Sequence, residues 1–171
     1  GVHRVTAHGN YHYLVHGTTT HGIQDTREEG RREPLSYYHR RGPIGQVFAH
    51  LHADAARAGT PLRVGFIGLG TGVLSAYGRP GDEFTFYEID PTVERIARDT
   101  RLFTYLSDSR ARIDVRLGDG RLRLGATPEG SYDLIVIDAF SSDAIPAHLL
   151  TTEAVALYAS RLRPGGLLAF H

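Results

Sequence analysis

The sequence predicts a doubly wound α/β domain, and three observations carry that prediction. From residue 61 onward, short apolar runs alternate with helical patterns, as a parallel sheet covered by helices requires. A glycine-rich turn, Gly68-Leu69-Gly70-Thr71-Gly72, follows the first of these runs and opens the next helical region. No hairpin turn separates the runs, which argues against an antiparallel α+β arrangement.

The elements follow in order. Val2–Ala7 and Tyr11–His16 have strand-like composition on either side of Gly9-Asn10 and read as a small β-hairpin. Residues 25–36 are almost wholly polar and read as an exposed loop. A helix starts at Pro43, which suits a first turn, and stops at Gly59. Within it Ile44, Val47, Phe48 and Leu51 recur at helical spacing and define one buried face. Strands are expected at Arg63–Gly68, Glu83–Ile89, Arg112–Leu117, Tyr132–Asp138 and Leu167–Phe170. Helices are expected at Pro91–Thr100 and Thr152–Leu162, and Pro164-Gly165-Gly166 turns the chain into the last strand. This divides the chain into a hairpin and loop, residues 1–42, and the doubly wound α/β domain, residues 43–171.

Composition narrows the chemistry. The 171 residues include 19 basic and 19 acidic ones, so no broad grip on nucleic acid or an anionic membrane is expected. Every basic residue other than His is Arg, which excludes a Schiff-base lysine and a Walker-type phosphate lysine. With no Cys, thiolate nucleophiles, disulfides and Cys-built metal sites are excluded too. Among the ten His residues, His8, His12 and His16 would share a face in a helix, but Gly9-Asn10 favours a hairpin there, and no metal is expected. No apolar run reaches the ~20 residues of a spanning helix. The absence of Met and a final strand without a following helix make the sequence read as a piece of a longer chain, with C-terminal strands missing. A cytoplasmic location is expected, as a free domain or as the cytosolic part of a membrane-anchored protein.

Four features fall at the carboxyl ends of consecutive expected strands, where open α/β sheets bind ligands. Gly68, Gly70 and Gly72 allow a tight turn and a close ligand approach. Glu88, twenty residues after Gly68, can accept hydrogen bonds from two ribose hydroxyls. Gly118-Asp119-Gly120 can read the exocyclic amine of adenine, and Asp138 ends the strand Leu134–Ile137. Taken alone, a Gly triplet or an Asp-Gly turn is a weak signal; four in register are much stronger. An NAD-type turn would need its third glycine at Leu74. The compact spacing suits an adenosine bearing a small charged group, such as S-adenosylmethionine or a close relative.

These residues resemble the spermidine synthase (polyamine aminopropyltransferase) family, within the class I methyltransferase-like, Rossmann-like fold. The resemblance runs from about Leu14 to Phe170 through Gly22-Ile23-Gln24, Tyr37-Tyr38-His39, Gly68–Gly72, Tyr87-Glu88-Ile89-Asp90, Gly118-Asp119-Gly120 and Asp138–Pro146. The stretches His16–Gly22 and Tyr38–Gln46 are similar to a bacterial branch often fused to membrane segments. The resemblance implies a donor, decarboxylated S-adenosylmethionine or S-adenosylmethionine, held by Gln24, Gly68, Gly70, Thr71, Gly72, Glu88, Ile89, Asp119, Gly120 and Pro146. It implies Asp138 as the catalytic acid–base group, with Tyr38, His39 and Asp143 on the side of a small-molecule amine. A homodimer is among the expectations. The sequence departs from the family at Thr71 and Arg40, where acids are usual, and at Arg32–Ser36, where an acidic pair is usual. Sites that would grip a polycation are therefore weakened or reversed in charge. Two further readings stay open: a methyltransferase acting on a small molecule, and a non-catalytic donor-binding domain.

Overall fold

The computed structural model describes residues 2–140 and 144–171. Three antiparallel strands come first, β1 (His3–His8), β2 (Tyr11–His16) and β3 (Thr19–Asp25), in the order β1-β2-β3. The hairpin expected from sequence is therefore a three-stranded sheet. Two two-residue turns, Gly9-Asn10 and Gly17-Thr18, join its strands, each led by a glycine at positive φ. The second turn is followed by threonines, which suit a strand as well as a loop. The β2–β3 register shifts so that Leu14 faces Gly22 and Val15 faces Thr20, leaving His21 as an extra, bulged residue. A bulge re-aims the side chain it carries.

The polar segment that follows is anchored more firmly than a free loop. Arg31 ion-pairs with Asp108 at 3.0 Å, and the buried Tyr105 hydroxyl donates to the carbonyls of Ile23 and Glu33. Helix α1 (Pro43–Ala58) begins at its proline and ends at left-handed Gly59, burying Ile44, Phe48, Leu51 and Ala55. Five parallel strands then form the main sheet: β4 (Arg63–Ile67), β5 (Glu83–Glu88), β6 (Arg112–Leu117), β7 (Tyr132–Ile137) and β8 (Leu162–Phe170). Their order is β6-β5-β4-β7-β8. Strand β8 starts five residues earlier than its apolar run suggests. It pairs through Leu162, then loops out over residues 163–166 before pairing again at Leu167.

Residue parity along these strands sorts two cores. Val64, Phe66, Phe84, Phe86, Leu134 and Val136 face α1 and the short helix α2 (Pro91–Arg98). On the opposite face, Ile67, Tyr87, Ile135 and Ile137 meet residues of α4 (Gly120–Gly125) and α5 (Thr152–Arg161). A one-turn helix, α3 (Tyr105–Asp108), lies between β5 and β6 in sequence. One expectation fails at the glycine-rich turn. The segment after Gly72 is a single 3-10 turn, Val73–Tyr77, halted at Gly78, and no α-helix follows. No α-helical dipole therefore points at the turn. Among the described residues no helix is long and apolar enough to cross a membrane.

Candidate functional site

The chain leaves β4 toward β5 and β6, then crosses back to place β7 on the other side of β4. Strand order reverses there, and a crevice opens beyond the carboxyl ends. A cavity of about 290 Å³ occupies it, lined by Gly68 after β4, Glu88 ending β5, Asp119 after β6 and Asp138 after β7. Gly68 is fixed by space and by backbone. Its φ is +104°, and a Cβ there would stand 2.1 Å from the Asp138 carbonyl oxygen. Gly120 is tight too, since a Cβ would lie 2.6 Å from the Ile67 side chain, so α4 can start close against β4.

Glu88 is buried at 7% exposure, with both carboxylate oxygens engaged. The Leu69 N–H donates to Oε2 at 3.0 Å and the Asp90 N–H to Oε1 at 2.8 Å. Each oxygen keeps lone-pair capacity toward the cavity. Burial raises the Glu88 pKa, and these N–H donors oppose the shift. Ile89 follows with 69% exposure, an apolar face open to the cavity, and Pro146 lines the same space. Asp119 caps α4 by accepting from the Leu122 N–H at 3.0 Å, and its other oxygen lies 3.4 Å from His148 Nε2. Apolar surfaces beside two carboxylates at fixed strand ends can hold a flat base at one end and a diol at the other.

Asp138 marks the other limit of the cavity. Its side chain is about 10% exposed, and Oδ2 accepts from the Tyr38 hydroxyl at 3.0 Å. His171 Nδ1 stands 3.7 Å from Oδ1. Burial pushes the Asp138 pKa up, while His171, Tyr38 and His21 pull against it. Tyr38 is pushed well above the usual phenol range by burial, reinforced by the neighbouring Asp138 charge. A second cavity, about 730 Å³, adjoins here, and His21, Tyr38 and Phe140 line both. Tyr37, His39, Phe170 and His171 also line this second space.

The structure thus gathers Gly68, Gly70, Glu88, Ile89, Asp119, Gly120, Pro146, Asp138 and Tyr38 around the first cavity and His39 on the second. It does not bring three sequence candidates to either cavity's lining. Gln24 is buried at 2% exposure, and its amide bridges the Arg31 carbonyl, the Thr104 hydroxyl and the Thr104 N–H. Thr71 is fully buried, with its side chain against Gly22. Gly72 turns the chain under Leu106. Asp143 lies outside the described residues. Sequence reasoning missed His3, His16, His21 and His171. His3 bonds Asp90 at 3.0 Å and stacks on His16, so the small sheet joins the cavity rim. His21 lies in the His16–Gly22 stretch, but only the bulge aims it at the cavity, and only the fold of β8 reveals His171.

Fold and crevice together define a Rossmann-like domain of the class I methyltransferase type. Within that class the chain is similar in sequence to polyamine aminopropyltransferases. It is 37% identical over 114 residues to a polyamine aminopropyltransferase of Vibrio vulnificus, covering 63% of this chain and 36% of that one. It is 28% identical over 131 residues to a probable polyamine aminopropyl transferase of Bifidobacterium longum, covering 75% of this chain and 28% of that one. The chain therefore spans about a third of the length of these curated relatives. Among solved structures, a probable spermidine synthase from Corynebacterium glutamicum superposes with a TM-score of 0.76 at 20% identity. That match covers 98% of this chain and 59% of the other. A spermidine synthase in complex with a transition state analogue gives a TM-score of 0.52 at 24% identity, over 64% of this chain and 39% of that one. Identities this low bear on the fold alone. No family model matches the sequence.

Proposed function

We propose that the chain carries the donor site and acid–base centre of an aminopropyl transfer from decarboxylated S-adenosylmethionine to a small amine. The single observation behind this reading is the Tyr38–Asp138 hydrogen bond at the junction of two adjoining cavities. Asp138 lines the first, donor cavity, and Tyr38, which bonds it, lines both that cavity and the second, acceptor one. The names of the curated relatives support the same reaction class.

When bound, the donor supplies a carbon activated by a sulfonium. Glu88 accepts the ribose hydroxyls, Asp119 and Gly120 meet the adenine edge, and Ile89 and Pro146 give apolar faces to the base. The acceptor enters through the second cavity along Tyr37, Tyr38 and His39. Its nitrogen must be neutral to attack, although a free alkylamine has a pKa of about 10. Asp138, anchored by Tyr38, orients the nitrogen and collects its proton as the N–C bond forms. The C–S electron pair leaves with sulfur as a neutral thioether. Asp143 remains a candidate for covering the acceptor, and the likeness to the membrane-fused branch is part of this proposal.

Methyl transfer is the second reading, favoured by Thr71. Buried against Gly22, it gives the donor tail no acid to hold an aminopropyl nitrogen. Calorimetry with both donors separates the two readings. Aminopropyl transfer requires tighter binding of the decarboxylated donor, and preference for the carboxylated one refutes it. With Asp138→Asn, turnover should fall by about 100-fold while donor affinity stays within about threefold. Unchanged turnover would remove Asp138 from its role.

A further inference from the structure

Resting on that reading, we propose that His171 is a positioning residue that relays the proton collected by Asp138 to the second cavity. The contact joins distant parts of the chain. His171 follows β8, and its N–H bonds the Ile137 carbonyl at 3.0 Å, which sets it beside the end of β7. Its ring stacks on Tyr38, with centroids 4.6 Å apart and planes within 6°. On one edge Nε2 lies 3.2 Å from the Tyr37 carbonyl oxygen. That partner can only accept, so Nε2 carries the proton. On the other edge Nδ1, 3.7 Å from Asp138 Oδ1, is a lone pair when the ring is neutral and a proton donor when it is cationic.

Asp138 needs such a neighbour. It is nine-tenths buried, Tyr38 serves only Oδ2, and Oδ1 has no hydrogen-bond partner among the described residues. A buried carboxylate that has taken a proton must lose it before the next cycle. At 3.7 Å the approach exceeds a hydrogen bond, and catalytic contacts in a ligand-free site commonly tighten when the site fills. The acceptor N–H bond breaks as Asp138 takes the proton. Asp138 passes it to Nδ1, the resulting imidazolium yields one proton to solvent water in the second cavity, which His171 also lines, and exchange with that water returns the neutral ring to the Nε2–H tautomer that bonds the Tyr37 carbonyl. No proton is lost or gained beyond the one the amine yields. Among the described residues, Tyr38, His171 and His21 face the Asp138 carboxylate. His171 faces Asp138 and the Tyr37 carbonyl. The carboxylate holds the imidazole above the usual histidine range, and partial burial opposes it.

The test uses the full chain and two kinds of readout. His171→Gln keeps a donor for the Tyr37 carbonyl but has no ring to pass a proton. It should lower kcat about 10- to 100-fold at neutral pH, with KM for the donor little changed. The ascending limb of its pH–rate profile should move to higher pH, because the cation that favours ionised Asp138 is gone. Added imidazole should restore part of the rate in His171→Ala, which a purely structural ring would not allow. The second readout needs no turnover. The His171 ring, identified by NMR against His171→Gln, should titrate above the ordinary histidine range in the wild type and fall in Asp138→Asn. An active wild type whose His171→Gln variant keeps its rate and pH limb overturns the relay but not the transferase reading. Absence of turnover with the His171 shift intact overturns only the transferase reading. An imidazole indifferent to Asp138→Asn overturns the dyad in either case.

Discussion

Replacing Glu88 by Gln probes the donor site where its geometry is best defined. The carboxylate accepts from Leu69 N–H at 3.0 Å and from Asp90 N–H at 2.8 Å, so it ties the glycine-rich turn to the start of α2. In the amide one oxygen becomes an NH₂ facing an N–H donor, and a charge-assisted bond becomes a donor–donor conflict. That costs about 2 kcal/mol of folding stability, since bonds to charged groups are worth roughly 1.5–3 kcal/mol. Binding suffers separately. Two ribose hydroxyls donating to a charged acceptor would lose one bond and weaken the other, about 3 kcal/mol in all. That corresponds to a rise in Kd of about a hundredfold. Titration calorimetry with the thioether nucleoside left by the reaction reads the second effect, and urea unfolding reads the first. Loss of stability with a donor Kd within about threefold of wild type would refute Glu88 as a ribose ligand.

The same residue gives a pH signature with opposite signs. Burial raises its folded pKa, against the pull of the Asp90 and Leu69 N–H groups. Its contribution to stability is therefore present below the unfolded value of about 4.3 and lost as pH rises through the folded pKa. Donor binding needs the ionised form, so affinity rises over that window.

The other predictions test how the site is held. Gly68→Ala places a methyl against the Asp138 carbonyl at a φ that Ala rarely adopts; it should cost about 2 kcal/mol or more and abolish donor binding, read by thermal unfolding and calorimetry. Asp82 is buried with His52 Nε2 at 3.0 Å and accepts from the Leu62 and Arg79 N–H groups, so Asp82→Asn should destabilise by about 3 kcal/mol. Burial alone would raise the Asp82 pKa, but His52 and the two N–H groups hold it below the usual range. Its stabilisation is thus present above about pH 4 and lost as pH falls through the depressed folded value, which acid unfolding of the wild type and the variant will show. Gln24→Ala removes the bridge to Thr104 and Arg31; it should lower the melting temperature while leaving donor Kd within about threefold.

Legibility in the sequence followed the range of the interactions. Helix α1 was readable because Pro43 and Gly59 act locally on the backbone. Strands β4, β5 and β7 were readable because burial leaves short apolar runs, as in Leu134–Ile137, and β6 because Ile113, Val115 and Leu117 alternate with polar residues. The register of Gly68, Glu88, Asp119 and Asp138 followed, since each sits at the end of a recognisable strand. Strand β3 was not legible, because Thr18–His21 carries no apolar alternation and is ordered by pairing with β2. Gln24 looked like a ligand-facing amide from its neighbours in sequence, yet its partner Thr104 lies 80 residues away. The stacking of His171 on Tyr38 was equally hidden, since the main sheet and α1 must both form before the two rings meet.

One measurement bears most directly on the central claim. The full chain is incubated with a panel of small amines and a donor labelled either in the aminopropyl group or in the S-methyl group, and the amine fraction is followed by mass spectrometry. Aminopropyl transfer at the Asp138–Tyr38 junction predicts label in the amine from the aminopropyl-labelled donor, none from the methyl-labelled one, and a loss of that signal in Asp138→Asn. Methyl label in the amine, or aminopropyl label that persists unchanged in Asp138→Asn, would contradict it.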